Sequence, residues 1–223
     1  MKFIQVNDTV DVIAMISNKI NDALKRGRVF WLVSGGSNIS IESEVSKKLD
    51  DHLTKNLKIM LADERYGEYM HQASNYRQLI EGGFRIGRAQ FIPVLTKDKS
   101  TLGDTVKLYA ERFKTALNDS DFTLAELGMG GDGHIAGILP GSRAVTSENL
   151  TEGYESGALT RMTLTVKALV MVNEIYACVF GEDKKEQLQL LYESDMEYAR
   201  QPAQILKLIP NSYVYNSYIG GST

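Results

Sequence analysis

Short apolar runs alternate with amphipathic stretches along almost the whole chain, and this alternation limits the folds open to it. The runs RVFWLV (28–33) and LKIMLA (57–62) are apolar nearly throughout, as strands are when both faces of a parallel sheet are covered. Before the first run, Val12, Ile13, Ile16, Ile20 and Leu24 recur at steps of one, three and four, with Asp8 or Thr9 placed to cap a helix. By the same reading, residues 3–6 form an edge strand, 42–49 a helix, and a further helix starts near Ser74. A short strand follows at 91–94, a helix at 102–117 and a strand at 123–127. Residues 161–165 and 169–179 read as β, 183–192 as helix, with a short helix after Pro202 and a strand near Tyr213. Such a series predicts an α/β fold, an open, doubly wound, mostly parallel sheet with helices on both faces (Rossmann-like), built as one domain over 1–223.

A chain of 223 residues buries about 70% of its unfolded surface, so an apolar core can hold it without disulfides or metal. The single cysteine, Cys178, lies in the apolar run CVF and reads as a core residue of a reduced protein. No CxxC or His/Cys cluster points to a metal site. The net charge of −3 comes from interspersed acids and bases with no basic block, which argues against a nucleic-acid partner. The opening MKFIQVNDTV turns polar too soon for a leader, and the longest apolar runs fall far short of a membrane span. A cytoplasmic protein with no membrane partner is expected.

Three polar or Gly-rich segments each follow a predicted strand: Ser34-Gly35-Gly36-Ser37, Asp63-Glu64-Arg65, and the stretch from Gly128 through Asp132 to His134. Ligands of open parallel sheets bind outside the carboxyl ends of the strands, so the three converge on one crevice. The SGGS turn is neither a Walker loop nor a GxGxxG fingerprint, but its amides suit an anion at a helix start. An ordinary tight turn with Ser37 or Asn38 as N-cap is the plainer alternative. Arg65 offers a planar fork for phosphate or for charge developing on oxygen. Asp63 and Glu64 would orient it or hold hydroxyls, unless the triplet is a structural ion pair. Asp132 and His134, two apart, point to one side, and a carboxylate beside an imidazole fixes its tautomer and prepares a general base. A Gly-rich turn with a solvated acid and imidazole is the alternative there. Arg161 and Lys184 add cations near strand ends, a setting in which an isolated cation is usually solvated. His52 and His71 have no comparable surroundings, and the absence of a GxSxG elbow disfavours covalent catalysis.

Set in order, SGGS (34–37), ADER (62–65), SNYR (74–77), LGMGGDGH (127–134), RMTLT (161–165), GEDK (181–184) and PAQ (202–204) resemble the glucosamine-6-phosphate isomerase/6-phosphogluconolactonase family. The resemblance implies a hydrolase of carbohydrate metabolism that opens 6-phospho-D-glucono-1,5-lactone to 6-phosphogluconate in the pentose phosphate pathway, without metal or cofactor. It implies that His134 activates water and that Asp132 orients it. The phosphate would sit among Ser37, Arg65, Arg161 and Lys184, with Arg65 alternatively facing the reacting carbonyl. Ser34, Gly35, Gly36 and Asp63 complete the implied substrate site, and the amides of Gly35, Gly36 or the 130–133 loop are the implied oxyanion donors. Deaminases of the family typically read HIAFNEPGS, with a glutamate assisting the histidine, and DEY; this chain reads HIAGILPGS, with Leu139 at the glutamate's place, and DER. Both differences favour the lactonase branch. The chain departs from that branch in HIAG for HTAS, in Asn38 and Ile39 after SGGS, in Tyr66-Gly67 after DER, and in its C-terminal NSYVYNSYIGGST. Two other readings stand beside it. One is an isomerase or deaminase with Asp63 as proton shuttle. The other is a non-catalytic sugar-phosphate-binding protein, whose DNA-binding module would find no room before strands that start within the first residues. A monomer or weak homo-oligomer is expected.

Overall fold

The computed structural model describes residues 1–98 and 100–222. In chain order its elements are β1 (Lys2–Gln5), α1 (Thr9–Leu24), β2 (Val29–Val33), α2 (Ile39–Lys47), β3 (Leu57–Leu61), β4 (Asp63–Arg65), α3 (Asn75–Glu81), β5 (Gln90–Ile92), α4 (Leu102–Asn118), β6 (Phe122–Gly128), β7 (Thr151–Ser156), β8 (Leu159–Leu164), α5 (Val166–Leu169), β9 (Glu174–Val179), α6 (Lys185–Glu193), β10 (Ser212–Asn216) and β11 (Gly221–Ser222). Eight strands form a sheet in the order β11-β1-β10-β9-β6-β2-β3-β5, and its neighbouring strands pair in parallel. All of β2 is buried, as its unbroken apolar run requires of a strand covered on both faces. Asp8 caps α1 by accepting from the Val10 N–H at 2.8 Å, and the stripe of Val12, Ile13, Ile16, Ile20 and Leu24 turns into the core. Among the described residues no helix is long and apolar enough to cross a membrane.

Three local expectations are corrected. β1 is not an edge strand, because β11 pairs along its outer side. Residues 63–65 are not a loop: they form β4, antiparallel to β8, and with β7 these make a second, three-stranded sheet. β7 itself was not anticipated, since its sequence TEGYES is mostly polar; the turn at Gly157, with φ at 60°, returns the chain into β8. Residues 169–179 are not one strand. The apolar run there is split into α5 and β9, and short apolar runs do not separate helix from strand by period alone. The segment after Pro202 is a 3₁₀ helix, Pro202–Leu208.

Ala62 ties the two sheets together: its N–H donates to the Val33 carbonyl at 2.7 Å and its own carbonyl accepts from Leu164 at 2.9 Å. The small sheet therefore starts where β2 and β3 end, beside the carboxyl edge of the large one.

Candidate active site

The pleat of β4 decides which of its charges faces the site. Asp63 and Arg65 share one face, opposite Thr163 and Arg161 of β8, while Glu64 points the other way with Met162. Arg65 and Arg161 are thus direct cross-strand partners, an arrangement that repulsion disfavours unless an anion lies between or beside them. Asp63 stands on the same face of the strand as Arg65. Its near-complete burial raises its carboxyl pKa, against the pull of Arg65, Arg161, His134 and Asn75, and the net direction is upward. The Nε atoms of both arginines are buried without a hydrogen-bond partner among the described residues, donors that an incoming oxyanion would satisfy.

Glu64 is structural rather than a ligand for hydroxyls. Its carboxylate accepts from the N–H groups of Arg65 (2.7 Å), Asn75 (2.6 Å) and Tyr76 (3.0 Å) and from Ser74 Oγ (2.9 Å), which clamps β4 to the first turn of α3. That clamp delivers Asn75, a residue the sequence reading left outside the site although it lies in the SNYR motif. Asn75 donates from Nδ2 to the Asp63 carbonyl at 3.0 Å and to its carboxylate at 3.2 Å, and its Oδ1 accepts from Arg65 Nη1. It fixes the acid and the base of β4 together. A Cβ at Gly35 would stand 2.3 Å from Asn75 Oδ1, so the SGGS turn reaches this position only with glycine there. His71, set aside in the sequence, anchors the end of β4 through a 2.9 Å hydrogen bond between Nε2 and the Arg65 carbonyl.

The imidazole is held on the opposite wall. β6 delivers the chain into a loop closed by Gly133 N–H to the Gly130 carbonyl and Gly130 N–H to the His134 carbonyl, each 3.0 Å. Those two amides are spent within the loop and drop out of the expected oxyanion donors. Asp132 Oδ1 accepts from His134 Nδ1 at 2.6 Å and from the His134 N–H at 3.1 Å. This fixes the ring with Nδ1–H toward the acid and Nε2 as the proton-accepting nitrogen. Partial burial pushes the Asp132 carboxyl up, but the charge and hydrogen bonds of His134 outweigh it and hold the pKa below the ordinary value. The ring lies against Gly130, where a Cβ would come within 2.2 Å of Nδ1.

These parts enclose a cavity of about 270 Å³ lined by Ser34, Gly35, Gly36, Ser37, Asp63, Arg65, Asn75, His134, Arg161 and Lys184, with Gly128, Met129, Gly130 and Ala136. Every expected site residue is on that wall except Asp132, which stands behind His134. Lys184 comes from the turn before α6 and lies 3.4 Å from Asp183. Ala136 holds φ at 50°, a left-handed conformation costing about 1–2 kcal/mol, in the wall of the cavity. Leu139 places no carboxylate beyond the histidine; its N–H donates to Tyr154 Oη at 3.2 Å.

The family model described as glucosamine-6-phosphate isomerases/6-phosphogluconolactonase matches residues 9–213. The chain is 27% identical over 183 residues to a 6-phosphogluconolactonase of Chlamydia pneumoniae, spanning 78% of this chain and 69% of that protein. It is 26% identical over 231 residues to a glucosamine-6-phosphate deaminase of Beutenbergia cavernae, spanning 95% and 88%. The crystal structure of a 6-phosphogluconolactonase from Shewanella baltica superposes with a TM-score of 0.82 at 25% identity, covering 100% of this chain and 98% of that one.

Proposed function

The chain belongs to the glucosamine-6-phosphate isomerase/6-phosphogluconolactonase family, and from that premise we propose that it hydrolyses 6-phospho-D-glucono-1,5-lactone to 6-phosphogluconate. The observation that carries this reading is His134, locked by Asp132 and lining a cavity whose other wall is the Arg65–Arg161 pair. Water attacks the lactone carbonyl carbon as His134 Nε2 takes its proton, and Asp132 stabilises the imidazolium. The tetrahedral oxyanion then collapses, the ring C–O bond breaks, and the imidazolium returns the proton to the leaving ring oxygen. A positioned base contributes about 10²–10⁴-fold and one oxyanion donor about 10²–10³-fold, enough for a reactive cyclic ester.

Arg161, Lys184 and Ser37 hold the phosphate in this reading. Arg65 serves either the phosphate or the developing oxyanion, and Asp63 accepts from a substrate hydroxyl. Deamination is the weaker reading, because Leu139 supplies no carboxylate to assist the histidine. We place the protein in the cytoplasm as one domain, a monomer or weak homo-oligomer; the buried thiol of Cys178 fits a reducing compartment.

The test is lactone hydrolysis followed by NMR with and without protein, alongside ammonia release from glucosamine 6-phosphate. Acceleration of the first without the second is expected. Ammonia release with no acceleration of lactone opening would overturn the reading.

A further inference from the structure

Beneath the SGGS turn lie two buried acids that the reaction above does not use. Glu42, on α2, and Glu126, on β6, are both fully buried. Glu42 Oε1 accepts from the Ser34 N–H at 2.5 Å and from Ser34 Oγ at 2.9 Å, which ties α2 to the first residue of the cavity wall. Glu126 shares a face of β6 with Gly128 two residues on, and a Cβ at Gly128 would sit 3.5 Å from Asn38 Nδ2, so the start of α2 covers this face. Neither oxygen of Glu126 has a hydrogen-bond partner among the described residues, and Glu42 Oε2 is likewise unpaired.

We propose that Glu42 is a positioning residue of the active site, holding the Ser34 turn in its ligand-binding shape, while Glu126 behind it has no hydrogen-bond partner among the described residues. The division of roles follows from the partners. A carboxyl oxygen that collects two donors, one of them a backbone amide, is fixed in place by them whether or not the group is ionised. A fully buried carboxyl with no donor is not, and because an unpaired buried charge is expensive the group keeps its proton. Burial raises both groups, and Ser34's hydrogen bonds restrain Glu42 to about 8, whereas Glu126, pushed further by Glu42, lies well above the ordinary carboxyl range. Asp63 raises Glu42 further, and the two glutamates raise the buried thiol of Cys178. The positioning role deepens the lactonase reading and rests on it for its kinetic consequence, though not for its structural one.

Glu42→Leu and Glu42→Gln separate the possibilities. Glutamine keeps an acceptor oxygen for both Ser34 donors; leucine keeps only the volume. Hydrogen exchange at the Ser34 amide should accelerate at least about tenfold in Glu42→Leu and stay within about twofold of wild type in Glu42→Gln. The KM for the lactone should rise at least about tenfold in the leucine variant with kcat changed by less than about threefold, and the glutamine variant should restore it. Should Glu42→Leu not fold, Glu42→Asp, which keeps the carboxyl but shortens the reach by one methylene, must show the same exchange and KM changes. Wild-type Ser34 exchange and wild-type KM in the tested variant would overturn the proposal. A wild-type protein inert toward the lactone would overturn the functional reading instead, leaving the Ser34 exchange rates to decide the positioning role.

Discussion

Arg65 and Arg161 sit directly opposite one another in the antiparallel ladder of β4 and β8, two guanidinium groups on one face of a three-stranded sheet. Like charges in this relation cost stability, so their placement makes sense as a binding device and not as a fold determinant. Replacing Arg161 with Gln should therefore raise KM for the phosphorylated lactone about 10- to 100-fold, the worth of a charge-assisted hydrogen bond to phosphate. The melting temperature should hold or rise. Steady-state kinetics with parallel calorimetry check this; an unchanged KM would remove Arg161 from the phosphate site. The same substitution at Arg65 assigns its role, because loss in KM marks the phosphate and loss in kcat marks the oxyanion.

The 2.6 Å contact between His134 Nδ1 and Asp132 makes a second pair of expectations. His134→Ala should lower kcat at least about a hundredfold with little change in melting temperature, the ring being part-exposed in a loop closed by its own backbone. Asp132→Asn should lower kcat by a smaller factor, at least about tenfold, and leave KM near wild type, since the acid orients the base and does not line the cavity. The wild-type Asp132 carboxyl, held below its ordinary pKa, stays ionised through mildly acid conditions, so acid loss of activity must be assigned to another group. Full activity in His134→Ala ends the general-base assignment.

Asn75 is the residue on which the charges of β4 depend. Asn75→Ala strips Asp63 of its side-chain donor and leaves Arg65 Nη1 only the Ala73 carbonyl at 3.3 Å, while both residues stay in the wall. Leaving a buried carboxyl short of a partner costs about 1–3 kcal/mol, which for a chain of this size lowers the melting temperature by roughly 2–12 °C. A fall in kcat/KM should accompany it. Unchanged stability and kinetics together would show that Asp63 and Arg65 hold their places without the amide.

Much of this was legible before any coordinates. The unbroken apolar run of β2 and the helical stripe of α1 each report a single environment along their length, so periodicity alone assigns them. Site loops after strand ends follow from the topology of a parallel sheet, which is why Ser37, Arg65, His134 and Lys184, expected together from the sequence, line one cavity. What escaped was written in partners rather than periods. The residues DER look like a polar loop because three charges in succession carry no alternation of apolarity; only pairing with β8 reveals that Glu64 faces away from Asp63. Asn75 reads as the first residue after a Ser74 cap, and its hold on β4 depends on a clamp across ten residues of chain. Glu42 lies in a helix whose stripe of apolar residues is weak, and nothing local says that its carboxylate is fully buried.

Stability should fall as pH rises from about 5 to 8, and the buried acids are the reason. Glu42 and Glu126 are raised by burial from an ordinary value of 4.5, Glu42 to about 8, and burial also raises Asp63 and Glu64. In this window the folded chain retains protons that the unfolded chain has released. Each retained proton then tilts the folding free energy against the native state by about 1.4 kcal/mol per pH unit. The contribution is complete below pH 4.5 and is lost as pH climbs through the folded value near 8. Glu126→Leu removes a buried carboxyl neither of whose oxygens has a hydrogen-bond partner among the described residues and replaces it with an apolar side chain of similar volume, a change that is neutral or stabilising for buried charge sites. Thermal unfolding of the two proteins between pH 5 and 8 should show a shallower decline in the variant and a melting temperature several degrees above wild type at pH 8. Parallel curves for variant and wild type would mean that Glu126 is not among the groups that titrate with folding.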